Sequence, residues 1–446
     1  MLRQQAATVR WPFVANRCDQ RHCQRKQAVC QAGSNGKRDL TAVVVGSGFS
    51  GLYAAAGLSS RFAQVTLLDK DDFGDAVNVK KASDPEVWRE QYEAATNRRR
   101  GVSQYKQPHI MFKKGLELME ELFPGYKQKL SWAGALEIDQ IRDIYFSNWG
   151  KDWLPGTASG LPSLAASRHL YECVLRKFVL GISNLDVQTG ALVDGLVYDA
   201  HQERVTGLHL KNGQTLNADL VIDASGKASN ISKWLEGIGH RHPSEWSVNA
   251  GLKYAYRMYE MTEDADRDWL LAMCMDYPQG SRVGMMIPIE TNKWQVNLAG
   301  YPGHQCPLDE EGFLEFAQNL PNPLIWQTLL RAKPVSSISA YSGTDNFRRL
   351  FETAPPPSGL CVLGDAVCYF NPVNGQGMTV GMMGSNLLCQ CIDKLLEGCT
   401  ADGSKQQQLA ALDSLPTQFH TELGALLNYP WSVAAGADAM KSEGPV

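Results

Sequence analysis

The strongest pattern of apolar residues in the chain begins at residue 42. Residues 42–45 are continuous, apolar and mostly β-branched, which predicts a strand buried on both faces of a parallel sheet. Residues 52–58 are rich in alanine and predict a helix with a small-residue face. A second apolar run at residues 65–68 predicts the next parallel strand. Residues 42–68 are therefore expected to form a β-α-β unit.

Comparable patterns continue along the rest of the chain. Apolar residues at helical spacing predict helices over residues 109–123, 167–180 and 378–388. Alternating or continuous apolar runs predict strands over residues 187–197, 204–210, 218–222, 251–259, 282–290, 293–300 and 360–363. The two strands that flank Thr291 and Asn292 are expected to form a hairpin.

Two stretches lack an apolar pattern. The basic stretch after Asp69, with Lys80, Lys81 and the arginines at 98–100, is too polar for a core and predicts surface excursions. Residues 401–408 are low in complexity and predict a surface loop.

Three glycines separate the first predicted strand from the first predicted helix. Gly46, Gly48 and Gly51 have the spacing G-x-G-x-x-G, which allows a tight turn, close approach of a pyrophosphate and close helix packing. The N–H groups at the start of the helix suit phosphate. Asp69 ends the second strand, where a carboxylate suits a ribose diol. A purely structural glycine turn does not account for Asp69, so the pattern predicts a dinucleotide site.

The composition is that of an ordinary globular protein, with 44% hydrophobic and 20% charged residues, and 446 residues suffice for two or three domains. Because no stretch approaches eighteen consecutive apolar residues, we expect no transmembrane helix, while peripheral membrane contact stays open. Eight Lys or Arg and one Asp fall within residues 1–38, so this segment carries +7 and the remainder −11 of the net −4. Because the chain after residue 38 is acidic, its electrostatic field does not favour the binding of nucleic acid.

Residues 1–38 are arginine-rich, poor in acids and aperiodic, which is the composition of an organelle transit peptide. Residues 29–32, Val-Cys-Gln-Ala, resemble a plastid processing site. The chloroplast is therefore the expected location, and the mitochondrion is the alternative. A disordered basic tail with another use is the competing interpretation. The cysteines include no C-x-x-C pair, which predicts neither a metal site nor a redox-active dithiol.

A second motif lies late in the chain. Gly364 and Asp365 follow the apolar strand at 360–363, at the strand end where ligands of open α/β sheets bind. Gly375 and Gly377 then leave two positions without side chains in the loop that precedes the next predicted helix. Such a helix start suits an anionic group, for example the N1–C2=O edge of a reduced flavin.

The pairing of the early glycines and Asp69 with the late Gly364-Asp365 motif resembles the FAD-dependent oxidoreductases of the aromatic hydroxylase group. That group also contains squalene epoxidase, flavin halogenases and geranylgeranyl reductase. The stretch 364–379 is most similar to 2-polyprenyl-6-methoxyphenol hydroxylase-like proteins, and further similarity lies at residues 101–104, 167–168 and 218–226. The resemblance implies an α/β fold: a Rossmann-type FAD-binding domain with an inserted mixed or antiparallel substrate-binding sheet.

The resemblance also implies which residues form the site. The expected cofactor residues are Gly46, Ser47, Gly48, Phe49, Ser50, Gly51, Asp69, Lys70, Arg168, Gly364, Asp365, Gly375, Gln376, Gly377 and Met378. The expected substrate residues are Tyr256, Met285, Met286, Trp294 and Pro372. His109 and His169 are candidate acid–base groups, although neither is assigned as catalytic, because the flavin itself performs the difficult chemistry.

The resemblance divides the chain into an FAD-binding domain, a substrate domain and a C-terminal helical segment. The FAD-binding domain would comprise residues 39–135, 160–236 and 355–400. The substrate domain would comprise residues 136–159 and 237–354. Residues 401–446 would be helical and lie against the substrate entrance.

The function implied is FAD-dependent monooxygenation, by hydroxylation or epoxidation through a flavin hydroperoxide. The partners would be molecular oxygen and a small apolar, possibly isoprenoid, substrate. The alternatives are a reductase or desaturase of isoprenoid double bonds, a flavin halogenase, and a redox-inactive flavin-binding protein. Val283 and Met285 stand at the tryptophan positions of the halogenase motif, which disfavours halogenation.

The reductant stays open between NAD(P)H and a reduced partner such as a flavin reductase or a ferredoxin. Residues 223–226, Asp-Ala-Ser-Gly, depart from the Gly-Ala-Asp-Gly type motif that serves both FAD and NADPH in aromatic hydroxylases. Lys106 also stands where relatives often have arginine. The chain contains no second G-x-G-x-x-G for a separate nicotinamide site.

Overall fold

A computed structural model describes residues 38–72, 85, 99, 102, 104–105, 107–148, 151–153, 156–260, 267–275, 280–399 and 403–442. Several positions singled out from the sequence lie outside these described residues: the leader over 1–37, Lys80, Lys81, Arg98, Arg100, Gly101, Ser103 and Lys106. Residues 401 and 402 of the predicted surface loop also lie outside them.

The described strands are numbered in chain order. They are β1 (Arg38–Val45), β2 (Phe62–Leu68), β3 (Pro108–Met111), β4 (Leu136–Asp139), β5 (Ile144–Asn148), β6 (Lys151–Trp153), β7 (Pro162–Ser167), β8 (Leu185–Gln188), β9 (Val193–Asp199), β10 (Arg204–Leu210), β11 (Thr215–Asn217), β12 (Leu220–Asp223), β13 (Glu245–Val248), β14 (Lys253–Glu260), β15 (Leu271–Met275), β16 (Arg282–Ile289), β17 (Lys293–Gly300), β18 (Lys333–Pro334), β19 (Ser339–Tyr341), β20 (Asn346–Arg349), β21 (Leu360–Val362) and β22 (Cys368–Tyr369).

The described helices follow the same convention. They are α1 (Phe49–Ser59), α2 (Lys113–Leu122), α3 (Tyr126–Trp132), α4 (Arg168–Val179), α5 (Ile231–Gly237), α6 (Glu310–Gln318), α7 (Leu324–Leu329), α8 (Gly377–Leu395), α9 (Lys405–Ala411) and α10 (Leu415–Ser442). Single 3-10 turns lie at Gly364–Ala366 and Pro372–Asn374. Within the described residues, no helix combines the length and apolarity needed to cross a membrane.

A five-stranded sheet carries the predicted β-α-β unit. Its strand order is β21-β12-β1-β2-β8, and every pair is parallel. The helix α1 connects β1 to β2 and packs against α8 through small residues. A β-carbon on Gly381 would stand 2.3 Å from the Ser50 hydroxyl, and the Ser385 hydroxyl donates to the Ser50 carbonyl at 3.0 Å. Helices from the early and late motifs therefore meet directly.

An eight-stranded mixed sheet contains the strands predicted for the middle of the chain. Its order is β18-β14-β17-β16-β15-β5-β6, with β19 also on β14; β15 and β5 are parallel and the other pairs antiparallel. The predicted hairpin is present as β16 and β17. Thr291 and Asn292 have φ values of 65° and 54°, so its turn uses the left-handed region. We call this eight-stranded sheet the substrate sheet, after the substrate domain predicted from the sequence.

The structure corrects three predictions of secondary structure. Residues 108–111 form β3, paired with β7, and the helix predicted from residue 109 begins only at Lys113. The strand predicted over 187–197 is split into β8 and β9 by a turn at Gly190, where φ is 67°. A surface loop was predicted over residues 401–408, but residues 405–411 form α9. The side chain of its N-cap residue, Ser404, accepts a hydrogen bond from the Gln407 amide. Short strands and capped helices of one or two turns leave little periodicity to detect.

The long helix α10 joins the two parts of the molecule. It packs on α8 and also against β13, β20 and β21. Its Pro430 carbonyl accepts from the Gln376 side chain at 2.9 Å. Its buried Asp438 accepts from the side chains of Asn346 at 2.7 Å and Asn371 at 2.9 Å. The helix thus holds the loop that leads into α8.

Candidate functional site

One cavity of about 630 Å³ extends from the glycine turn after β1 to the substrate sheet. A volume of this size is typical of small-molecule sites. Most of the predicted cofactor residues line it: Gly46, Ser47, Gly48, Phe49, Ser50, Asp69, Lys70, Arg168, Asp365, Gly375, Gln376, Gly377 and Met378. Gly51 and Gly364 do not line it, because they lie behind the turn.

The glycine turn needs glycine at some positions for its own folding and leaves another open. A β-carbon on Gly46, where φ is +99°, would stand 2.4 Å from the Ala224 carbonyl oxygen, and one on Gly51 would stand 1.8 Å from the Gly46 carbonyl oxygen. A β-carbon on Gly48 would meet no described atom within 4 Å. Gly48 is the N-cap of α1, so this open space lies beside the unsatisfied N–H groups of the helix start. The turn therefore offers an anion-binding surface.

Gly364 is needed for the same kind of packing. Its φ is +65°, and a β-carbon there would stand 2.6 Å from the Ser50 hydroxyl. It closes the turn after β21 against α1. The neighbouring Asp365 faces the cavity, and burial raises the pKa of its carboxyl group although the Arg168 charge lowers it.

Asp69 lies at the end of β2 and binds the glycine turn. Its Oδ2 accepts from the Ser47 amide at 2.9 Å, the Ser47 hydroxyl at 2.5 Å and the Arg99 guanidinium at 2.7 Å. Its Oδ1 accepts from the Asp71 amide at 2.8 Å. Burial raises the pKa of this carboxyl, but the Arg99 charge and the hydrogen bonds outweigh it, and the net pKa lies below the ordinary value. Asp69 is therefore an ionised acceptor at the cavity wall.

Arg99 contradicts the prediction that residues 98–100 are too polar for the core. It is only 6% exposed, lines the cavity and lies 2.7 Å from Asp69, 3.5 Å from Asp71 and 3.5 Å from Glu172. Glu172 is fully buried and also pairs with Arg168 at 2.9 Å and Arg176 at 3.4 Å. Buried charges are retained when they are paired in this way. The only sequence signal was Glu172 placed four residues from an arginine on each side.

The loop before α8 forms the other end of the cofactor part of the cavity. Gly375 has a φ of 60°, and a β-carbon on Gly377 would meet no described atom within 4 Å. Since α8 has nineteen residues, its free N–H groups carry the partial positive charge of a full helix start. Arg168 adds a full positive charge and lies 4.4 Å above the Phe49 ring. This end of the cavity suits an anionic, planar group.

The two candidate histidines differ in position. His109 lines the cavity, and its Nδ1 lies 2.8 Å from the Gln107 carbonyl oxygen. Burial and the Arg168 charge lower the pKa of His109 to about 3, so its ring is neutral at physiological pH. His169 packs on Tyr105, 5.4 Å between ring centroids, and lies away from the cavity lining. Burial lowers the pKa of His169 to about 4.

The structure separates the predicted substrate residues into two groups. Met285 and Pro372 line the cavity, whereas Tyr256, Met286 and Trp294 do not. Successive residues of a strand point to opposite faces, so Met285 and Met286 cannot both face the cavity. Met286 and Trp294 pack on the far face of the substrate sheet, against residues of α6 and α7. Contrary to the expectation from the sequence, Met286 and Trp294 therefore do not line this cavity.

Comparisons with known proteins agree with this geometry. A family model described as tryptophan halogenase matches residues 128–246, and one described as an NAD(P)-binding Rossmann-like domain matches residues 44–103. Protein Rv3254 of Mycobacterium tuberculosis (strain ATCC 25618 / H37Rv) is 27% identical over 354 residues, which make up 76% of this chain and 70% of that protein.

Solved structures share the whole architecture. The structure of pqsL, a probable FAD-dependent monooxygenase from Pseudomonas aeruginosa, gives a TM-score of 0.60 at 12% identity and covers 91% of this chain and 98% of its own. The flavin-dependent brominase Bmp2 gives 0.60 at 14% identity, covering 92% and 90%. The oxygenase of 2-methyl-3-hydroxypyridine-5-carboxylic acid gives 0.60 at 16% identity, covering 92% and 94%. The chain has the fold of flavin-dependent monooxygenases. This confirms the predicted α/β fold class.

Within this fold, several cavity residues escaped sequence reasoning. On the substrate sheet they are Ile144, Phe146, Tyr254, Met273, Met275, Ile287, Asn297 and Tyr341. Near the end of β12 they include Ser225, Gly226 and Lys227. The alternation of polar Gln295 and Asn297 with Trp294, Val296 and Leu298 was the signal that one face of β17 differs from the other.

Proposed function

We propose that the protein is an FAD-dependent monooxygenase that acts on an apolar substrate. The observation that carries the proposal is one continuous cavity with two kinds of wall. Its cofactor part holds two helix starts, paired charges and glycines, and its other part is formed by apolar side chains of the substrate sheet. A dinucleotide with a reactive ring at one end fits such a shape.

The residues fit FAD at both ends of the cofactor part. The surfaces beside Gly48 and Gly377 are places that a β-carbon would fill and that the protein leaves open. The buried Nδ2 of Asn374, in the loop before α8, has no hydrogen-bond partner among the described residues. Gly48 and the start of α1 would hold the pyrophosphate, and Asp69 would hold the adenosine ribose.

The start of α8 and Arg168 would stabilise negative charge on the ring. When bound and reduced, the flavin would supply two electrons to molecular oxygen, so that one oxygen atom enters the substrate and the other is released as water. The chain's own contribution is to orient the ring and to exclude water. Met285, Ile287 and Phe146 serve the second purpose, because they present apolar surface to the cavity.

We propose more specifically that the apolar substrate is an isoprenoid, as the resemblance to the polyprenylphenol hydroxylase-like proteins implies. It is supported by the apolar wall of the substrate sheet. A reductase acting on isoprenoid double bonds would use the same wall and is the alternative within enzymes. Halogenation is disfavoured because Val283 and Met285 replace the motif tryptophans.

The same cavity limits the ways in which electrons could reach the flavin. The single glycine motif of β1 and α1 is assigned to FAD, so NAD(P)H would bind without a second Rossmann turn, or a flavin reductase or ferredoxin would deliver the electrons. Lys227 lines the cavity wall 4.3 Å from the Tyr369 ring, but its charge is balanced by an ion pair with Asp345 and does not distinguish these sources.

The test begins with native mass spectrometry of the purified full chain to identify bound FAD and any retained lipid. The enzyme is then reduced anaerobically, with NADH, NADPH and dithionite in parallel, and mixed with labelled oxygen and a matched substrate. We expect label in the product. Hydride transfer to a substrate double bond without oxygen would establish the reductase instead, and a protein that ignores FAD would overturn both.

We further propose that the basic leader directs import into a chloroplast, with the mitochondrion as the alternative. Its arginine-rich, acid-poor composition supports the proposal. A fluorescent protein fused behind residues 1–38 should enter the organelle. Cytosolic fluorescence would refute it.

A further inference from the structure

Asn297 is a polar residue in the apolar part of the cavity. Strand register places it beside Met285 of β16 and Tyr256 of β14. It lines the cavity and is 2% exposed. The neighbouring wall is built from Phe146, Met273 and Ile287. A buried side-chain amide surrounded by apolar groups is unfavourable unless it forms a hydrogen bond.

The partner is missing on the protein side. Among the described residues, none donates a hydrogen bond to the Oδ1 of Asn297. Gln295, two residues away on the same face of β17, has a partner within the protein, because its Nε2 donates to the Oε1 of Gln107 at 3.2 Å. Buried polar groups are nearly always hydrogen-bonded, and an exception in a ligand cavity indicates an absent partner.

The position of Asn297 also fits a role in the reaction. The sheet face that carries it packs on Val373, which lies in the loop leading into α8. The same loop lines the end of the cavity assigned to the flavin ring. A molecule bound to Asn297 would therefore lie between the substrate sheet and the ring.

We infer that Asn297 positions the substrate by accepting one hydrogen bond from an O–H or N–H group on an otherwise apolar molecule. The substrate class is thereby narrowed to hydroxylated or N–H-bearing apolar rings and chains, such as phenols. That the bound molecule is a substrate rests on the proposed function, whereas the hydrogen bond to Asn297 itself requires no flavin. Met273, Met275 and Met285 complement this one polar contact, because thioethers adapt to apolar surfaces of varied shape.

The test uses two probes that share one ring system. Binding of 1-naphthol, which has an O–H donor, and of 1-methoxynaphthalene, which has none, is measured by calorimetry on the purified full chain with and without added FAD. We expect the wild type to bind 1-naphthol about 10- to 100-fold more tightly, the range set by leaving one buried acceptor unpaired. Equal affinities, or no binding of either probe, would overturn the inference.

Variants assign the preference to Asn297. Asn297→Leu keeps a similar volume without the acceptor and should bind the two probes about equally. Asn297→Met is a second apolar replacement of different shape, and a melting curve confirms that each variant folds. Met285→Leu alters the adjacent surface but not the amide, so the preference for 1-naphthol should persist in it. A preference that survives in both Asn297 variants would overturn the assignment.

Failure of the two proposals can be told apart. A protein that prefers 1-naphthol but binds no FAD supports the role of Asn297 and overturns the monooxygenase proposal. A protein that binds FAD but shows no preference overturns the role of Asn297 alone.

Discussion

The carbonyl oxygen of Gly46 lies 1.8 Å from the point where a β-carbon on Gly51 would stand. The start of α1 therefore lies directly against the turn that precedes it, and glycine at 51 is a requirement of folding. Because the obstacle is backbone, a side chain cannot be accommodated by a change of rotamer. We expect Gly51→Ala to lower the free energy of unfolding by about 3 kcal/mol, the upper part of the range for overpacking. Urea unfolding measures this, and an unchanged midpoint would contradict the geometry.

Gly48 provides the matched comparison. Its backbone is extended, with φ −74° and ψ −176°, and a β-carbon there meets no described atom within 4 Å. Gly48→Val should therefore fold with a melting temperature close to that of the wild type stripped of FAD, but it should not bind FAD, because the side chain would fill the space assigned to the pyrophosphate. Flavin absorbance after gel filtration measures the loss. Retention of FAD by the folded variant would move the pyrophosphate elsewhere.

Arg99 should matter for stability as well as for the site. Arg99→Met would leave Asp69 and Glu172 buried with one cation fewer, and breaking a buried ion pair costs about 3–5 kcal/mol. Lys333→Met is the control, because Lys333 pairs with Glu260 at 3.4 Å with both side chains exposed, where an ion pair contributes less than about 1 kcal/mol. Chemical denaturation of both variants gives the comparison. Similar losses in the two would show that Arg99 is not the buried partner described here.

His420 of α10 should make stability depend on pH. It is 1% exposed, lies between Phe351 and Phe419, and its Nε2 accepts from the Val362 amide at 3.3 Å. Burial lowers the pKa of His420 to about 3 in the folded protein. Between about pH 3 and 6.5 the unfolded chain therefore binds one proton more, so the free energy of unfolding falls as the pH falls.

The measurement is the slope of unfolding free energy against pH. His420→Gln should reduce that slope by about 1.4 kcal/mol per pH unit between about pH 4.5 and 6, which corresponds to one proton. His201→Gln, at an exposed turn, is the control substitution. The explanation fails if the His420 variant keeps the wild-type slope.

The β-α-β unit and the two glycine motifs were predictable because their signals are local. The spacing of Gly46, Gly48 and Gly51 is recognised from the adjoining strand and helix, although Ala224, far along the chain, also limits the space at Gly46. Asp69 is recognised from the next strand. The same holds for the hairpin at Thr291 and Asn292. In each case a few neighbouring residues carry the signal.

Arg99 and Trp294 were misjudged because their surroundings come from distant parts of the chain. A run of arginines is usually solvated, and only the fold brings Glu172 and Asp69 to Arg99. Both faces of β17 are buried, and the alternation of polar Gln295 and Asn297 with apolar residues shows that its faces differ without showing which one lines the cavity. The packing of α6 and α7 determines which face is which, because these helices cover Trp294 while Asn297 faces the cavity.

The contacts of α10 bear on how the protein is made. A ribosome releases the glycine turn early, but the loop before α8 is held by Pro430 and Asp438, which are translated far later. Until β12 emerges, β1 also lacks one of its two parallel neighbours. Nascent chains would therefore expose one unpaired edge of an apolar strand until β12 has been translated, which favours aggregation. The end of the cavity that this loop lines is therefore fixed in place only after Asp438 has been translated.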